Sequence, residues 1–209
     1  VKLETSDDSR GWDAVGKLIL GERGFCTGAL IGPQLVLTAA HCLYDKTTGV
    51  QIRPEDIEFQ AGFRNGRAVA YRTVSRAVAH PDYRYSTEDK LGRVTDDLAL
   101  LELNQPIRLP SLAPFETGDT PVEGDAVGVV SYAQYREEAP SIQESCAVLA
   151  GRRDALILTI NSATDVADPL PDVMGQADLV VANPPYIPSA AVPRDLEVTN
   201  FDPPLALYS

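Results

Sequence analysis

No apolar run in the 209-residue chain approaches the roughly 18 residues that a membrane-spanning helix needs, so none is expected. Positive charge is also short: 18 Lys and Arg stand against 30 Asp and Glu, a net charge of −12. That balance speaks against nucleic acid and anionic membrane as partners, because both call for basic patches. The opening residues 1–8 are polar and acidic and hold no signal-peptide core; if the protein is exported, its signal is expected to have gone already. Cysteine is sparse and odd in number, at three. Cys26 and Cys42 lie sixteen positions apart on neighbouring segments, and a disulfide between them would clamp the loop that carries His41. Closing a loop of that size stabilises by about 3 kcal/mol on the chain-entropy estimate. Such a pair implies an oxidising compartment and leaves Cys146 without a partner.

What is present points to strands. The length suits one domain of two packed halves, or two small domains, and 15 glycines with 16 prolines among short apolar runs favour an all-β chain with many turns. Residues 25–42 organise the rest. Within them Leu35-Val36-Leu37, bounded by Gly32-Pro33, reads as a buried strand entered through a turn, and it delivers His41 at its end. On the residues alone His41 is either a satisfied structural histidine or a reactive one. Upstream, residues 11–20 read as an N-terminal strand with Trp12 as a core anchor. Residues 57–63 and 68–74 alternate as strands across the hairpin turn Arg64-Asn65-Gly66. Asp96-Asp97 head a strand through Leu103 whose alternate residues are apolar; by itself, a carboxylate there is a solvated turn residue. Further strands are expected over 124–132, and over 145–150 with 154–159 as a hairpin.

The run Cys26-Thr27-Gly28-Ala29-Leu30-Ile31, followed by Val36-Leu37-Thr38-Ala39-Ala40-His41-Cys42, closely resembles the histidine region of trypsin-like serine peptidases. His80-Pro81-Asp82-Tyr83 resembles the segment that precedes the family's aspartate strand, and Asp97-Leu98-Ala99-Leu100-Leu101 resembles its aspartate motif. The order, histidine before aspartate, is also the family's. The resemblance implies that His41 is the general base of a Ser-His-Asp triad. It gives Asp97, rather than Asp96, the task of holding the imidazole N–H, selecting its tautomer and stabilising the imidazolium. It further implies polypeptide as the molecule acted on, a secreted or periplasmic site, and two β-barrels joined across the proline-bearing residues 106–121; His80, with no partner motif around it, reads as structural. Val1-Lys2-Leu3 does not match the inserted N-terminus of enzymes activated by cleavage, so no zymogen-type activation is expected. The likeness covers about residues 11–160.

After Thr159 that family supplies a cysteine to pair with the one resembling Cys146, then a Gly-x-Ser-Gly segment bearing the nucleophile. This chain has neither and runs Ile160-Asn161-Ser162-Ala163-Thr164-Asp165, which leaves Ser162 as the nearest candidate nucleophile in sequence. The missing glycines matter, because they let backbone N–H groups converge on a developing oxyanion while the hydroxyl faces the histidine. Composition shifts at the same point. Residues 161–209 hold half of the 16 prolines and a single basic residue, Arg194. Within them Ala177-Asp178-Leu179-Val180-Val181-Ala182-Asn183-Pro184-Pro185-Tyr186-Ile187-Pro188, with Asp195 and Phe201-Asp202-Pro203-Pro204-Leu205-Ala206-Leu207 downstream, resembles over residues 177–207 the release-factor glutamine methyltransferases, whose Asn-Pro-Pro-Tyr motif holds the target amide nitrogen. The resemblance implies substrate-binding roles for Asn183, Pro184, Pro185 and Tyr186. No Gly-x-Gly run exists anywhere to hold S-adenosylmethionine, so the tail carries one end of a substrate site and no cofactor site.

The expectation is a mostly β chain: a trypsin-like double β-barrel with its second barrel truncated, plus a Pro-rich C-terminal segment of unrelated character. Its divisions are 1–115 for the first barrel, 116–160 for the partial second barrel and 161–209 for the methyltransferase-like fragment. The function expected is a catalytically incompetent protease-like hybrid or binding scaffold, with no cofactor and no metal. The alternatives are a serine endopeptidase with a displaced nucleophile such as Ser162, and a protein-glutamine methyltransferase fragment. Thiol titration of the denatured, unreduced protein should find one thiol per chain, from Cys146, or none in a covalent dimer; three would rule out the Cys26–Cys42 bond.

Overall fold

The computed structural model describes residues 2–5, 10–86, 96–118, 122–133, 136–152, 157–162 and 178–180. The chain divides into two compact units: Val1–Thr117 with Ser131–Ser141 in the first, Gly118–Val130 with Ile142–Val180 in the second.

Six strands make the barrel of the first unit: β1 (Val15–Leu20), β2 (Phe25–Gly32), β3 (Leu35–Thr38), β4 (Ile57–Ala61), β5 (Ala70–Ala79) and β6 (Ala99–Leu103). They close into a barrel in the order β1-β2-β3-β6-β5-β4, every neighbouring pair antiparallel. The period-2 alternation of a strand sets which residues fill it. Ile57, Phe59 and Ala61 of β4 are buried while Glu58 and Gln60 are partly exposed, and Ala99, Leu101 and Leu103 of β6 are buried around an exposed Leu100. Leu18, Leu30, Val36 and Val74 complete the interior. Each such side chain, fully removed from water, contributes about 1.5–3 kcal/mol.

Phe59 explains a glycine. Gly16 is paired with Ala61 across β1 and β4, and a Cβ there would lie 2.3 Å from Cε2 of the Phe59 ring and 2.8 Å from the Gln60 carbonyl oxygen. Only a residue without a side chain lets the ring lie against the wall of β1.

Two local expectations change, and a third, the hairpin turn, is met. Leu35-Val36-Leu37 is not buried throughout: Val36 points into the barrel, whereas Leu35 is exposed and Leu37 partly so, because a barrel wall has two faces. The first strand starts at Val15, not residue 11, and Trp12 is only half-buried, its ring tilted against Phe115 at 6.2 Å. The hairpin turn at Asn65-Gly66 is a two-residue loop, with φ of +46° and +82° and reciprocal Arg64–Arg67 backbone hydrogen bonds of 2.7 and 2.9 Å.

Residues 131–141 are tied to this barrel. The Tyr132 N–H donates to Thr27 Oγ1 at 2.9 Å and its hydroxyl donates to the Phe63 carbonyl at 2.8 Å. Burial pushes the Tyr132 phenol well above its ordinary pKa, so it stays a neutral donor. The buried Lys17 ammonium lies over the rings of Phe25 and Phe63, at 4.5 and 5.0 Å, and donates to the Glu137 carbonyl at 3.3 Å.

The remaining strands are β7 (Ala126–Ala133), β8 (Arg136–Arg152), β9 (Ile157–Ser162) and β10 (Asp178–Val180), forming a sheet ordered β10-β7-β8-β9. The hairpin expected over 145–159 is there as β8 and β9, paired antiparallel from Cys146↔Ser162 to Arg152↔Ile157. β8 begins at Arg136, well before residue 145, because its charged first half lacks the apolar pattern that marks a strand in sequence. β10 runs parallel to β7. Among the described residues no helix is long and apolar enough to cross a membrane.

Gly16→Ala should lower stability by about 1–3 kcal/mol through overpacking against Phe59, as read by denaturant unfolding. The double variant Gly16→Ala/Phe59→Leu should be less destabilised than the sum of its single changes.

Candidate functional site

β3 pairs with β6 in the register Leu35↔Glu102 to Thr38↔Ala99. Being antiparallel, the pair brings the residues that follow β3 beside those that precede β6. Beyond β3 the chain turns through Ala39 into a 3-10 helix, Ala40–Leu43, which carries His41; just before β6 stand Asp96 and Asp97.

The two expected residues therefore meet across 56 positions of chain. Asp97 Oδ1 accepts from the His41 backbone N–H at 2.7 Å, and its Oδ2 lies 2.5 Å from His41 Nδ1. An ionised carboxylate only accepts, so Nδ1 carries the proton and Nε2 is the basic nitrogen. Both side chains are largely shielded, at 12% and 17% exposure, which strengthens the pairing relative to open water.

Cys26 and Cys42 are bonded, with their Cα atoms 6.3 Å apart, fastening the His41 helix to β2. Ligand atoms of Cys26, His41 and Cys42 lie within 4.8 Å of one another, but bonded sulfurs offer no thiolate to a metal.

The segment after His41 is braced by residues that the sequence did not single out. Tyr44 stacks on Tyr85 with ring centroids 4.6 Å apart and tilts against Tyr83 at 6.1 Å. Asp45 Oδ1 accepts from the Thr47 and Thr48 backbone N–H groups at 2.8 and 2.9 Å, and Arg23 Nε donates to Oδ2 at 3.0 Å. The Thr48 amide first, then the Thr47 amide, holds the Asp45 carboxyl below its ordinary pKa. Asp45-Lys46-Thr47-Thr48 is a legible signal for such a turn, since an aspartate commonly bonds N–H groups two and three residues on.

His80 does not join the pair; its N–H donates to the Leu98 carbonyl at 2.7 Å, and its Nδ1 accepts from the Asp82 N–H at 3.3 Å. Ser162 ends β9, its backbone opposite Cys146 in β8, and the side chains of both lie outside the described residues. Asn183, Pro184, Pro185 and Tyr186 lie outside them altogether.

The sequence model of the trypsin family, described as "Trypsin", matches residues 4–154. The chain belongs to the trypsin family. Within that family it is 35% identical over 92 residues to complement C1r-B subcomponent of Mus musculus, a match covering 42% of this chain and 13% of that protein. It is 38% identical over 88 residues to trypsin of Phaedon cochleariae, covering 41% of this chain and 30% of that protein. The chain thus spans less than a third of either relative. A solved structure of kallikrein-related peptidase 10 in complex with Zn2+ has the same fold, with a TM-score of 0.50 and 24% identity over 68% of this chain and 60% of that one. The mostly β, trypsin-like fold expected from the sequence is therefore the fold observed. A separate, partial match runs over 51 residues to release factor glutamine methyltransferase of Bifidobacterium longum (strain NCC 2705), at 45% identity over 24% of this chain and 17% of that protein.

A carboxylate with a lowered folded pKa contributes stability above its unfolded value, about 3.9, and loses that contribution as pH falls through the folded value. Asp45→Ala should therefore lower the melting temperature at pH 7, and the gap from the unmodified protein should close on acidification below the ordinary carboxylate range. A gap that stays constant with pH would mean that the carboxylate charge is not what holds the turn.

Proposed function

We propose that this trypsin-family chain presents a general base, His41, and its orienter, Asp97, without a nucleophile, and that it engages polypeptide without hydrolysing it. The observation that carries the reading is that no serine in the chain sits in a Gly-x-Ser-Gly context. The doubly bonded carboxylate of Asp97 supports the roles of base and orienter. A base alone does not turn over peptide. Removing a triad member leaves roughly 10³–10⁴-fold over water, and that remainder comes from the oxyanion hole and substrate binding. The glycines that shape the oxyanion hole go with the missing motif, and one lost donor costs on the order of 10²–10³ in rate. Turnover then falls close to background.

The disulfide favours an extracellular or periplasmic setting. Residues 161–209 are best read as a methyltransferase-derived fragment following the two trypsin-like segments, 1–115 and 116–160. Without a glycine-rich cofactor loop, that fragment has no methyl-transfer activity of its own.

Peptide and ester substrates should come back uncleaved, and a fluorophosphonate probe should leave the protein unlabelled. Stoichiometric labelling that is abolished by His41→Ala would overturn the proposal. It would show a serine placed at the base after all, and Ser162→Ala would then decide whether that serine is Ser162.

A further inference from the structure

Among the described residues only two that are not glycine have a positive φ: Asn65 at +46° and Asp96 at +57°. Asn65 belongs to the two-residue hairpin, where such a conformation is required. Asp96 belongs to no hairpin among the described residues. It stands immediately before the residue whose carboxylate holds His41, and backbone outliers of this kind collect where a site needs its geometry fixed.

We propose that Asp96 is a positioning residue: its left-handed backbone aims the Asp97 carboxylate at His41. The proposal rests on the reading of His41 and Asp97 as base and orienter. The Leu98 N–H donates to the Asp96 carbonyl at 2.7 Å, closing a three-residue turn with Asp97 at its apex. The Leu98 carbonyl in turn accepts from the His80 N–H at 2.7 Å, which fixes the exit of the turn to the end of β5, and β6 starts at the next residue. Asp97 therefore sits on a closed turn whose exit is pinned to β5. Its two oxygens must meet two different N–H groups of His41, one of the backbone and one of the ring, at 2.7 and 2.5 Å. A two-point grip of that kind tolerates little rotation of the carboxylate, and displacement by about 1 Å is enough to spoil a catalytic geometry. Aspartate is among the few residue types, with asparagine and glycine, that adopt the left-handed region readily; a β-branched residue resists it. The conformation of Asp96, rather than its charge, is what the turn uses.

The readout is the strongly deshielded proton of the His41 Nδ1–H···Asp97 bond in the NMR spectrum of the full chain, assigned by its loss in His41→Ala. Asp96→Gly and Asp96→Asn should keep the resonance, since both replacements accept the left-handed turn. Asp96→Val should lose it, with Asp96→Ala as the milder substitute if the valine variant does not fold. Asn65→Val strains the other left-handed site and should cost stability while leaving the resonance in place. Retention of the resonance in the valine or alanine variant of Asp96 overturns the proposal. So does its loss in Asp96→Asn, which would assign the role to charge, or in Asn65→Val, which would make the effect global. A wild-type chain without the resonance sinks the base-and-orienter reading and this proposal together, whereas peptidase activity would overturn only the proposed absence of turnover.

Discussion

The antiparallel pairing of β3 with β6 is the constraint on which the site depends. Thr38 faces Ala99, so the chain that leaves one strand and the chain that enters the other must pass each other within a few residues. His41 and Asp97 lie in those two stretches. In the order β1-β2-β3-β6-β5-β4 this pair joins strands that are distant in sequence, so the site forms only once those two strands have come together. A chain in which β3 and β6 have separated has no site.

Around that pairing, three restraints converge on one short helix. The Asp97 carboxylate holds both the backbone and the ring of His41, the disulfide ties Cys42 back to β2, and the Asp45 turn with the stacked tyrosines fixes the segment that follows. The disulfide acts through the unfolded chain and the carboxylate through directed bonds in the folded one. They therefore stabilise the same histidine by independent routes.

Much of this is legible in the amino-acid sequence. The wording around His41, Cys42 and Asp97 is long and specific enough to name a family, and the Asn65-Gly66 turn, whose backbone chemistry is local, was found by its dipeptide alone. What was missed depends on context. Leu35 and Leu37 read as buried because an apolar run does not say which of its residues face inward once the strand becomes one wall of a barrel. The first half of β8 carries Arg136, Glu137 and Glu138, charged residues that give no strand signal. Tyr44 and Tyr85 are far apart in the chain, so only the fold brings their rings together.

Closure of the barrel has one more effect, on how a peptide is met. β1, β3, β4 and β6 have a hydrogen-bonded neighbour on both flanks, whereas β2 and β5 meet their two neighbours over successive stretches, β5 pairing with β4 over 70–73 and with β6 over 74–79. Along the four doubly paired strands the wall offers no row of free backbone donors and acceptors, so strand addition by an extended peptide or by a second copy is blocked there. What these four strands present outward is side chains and the turns at their ends, and the chain that leaves β3 and the chain that enters β6 are where His41 and Asp97 lie.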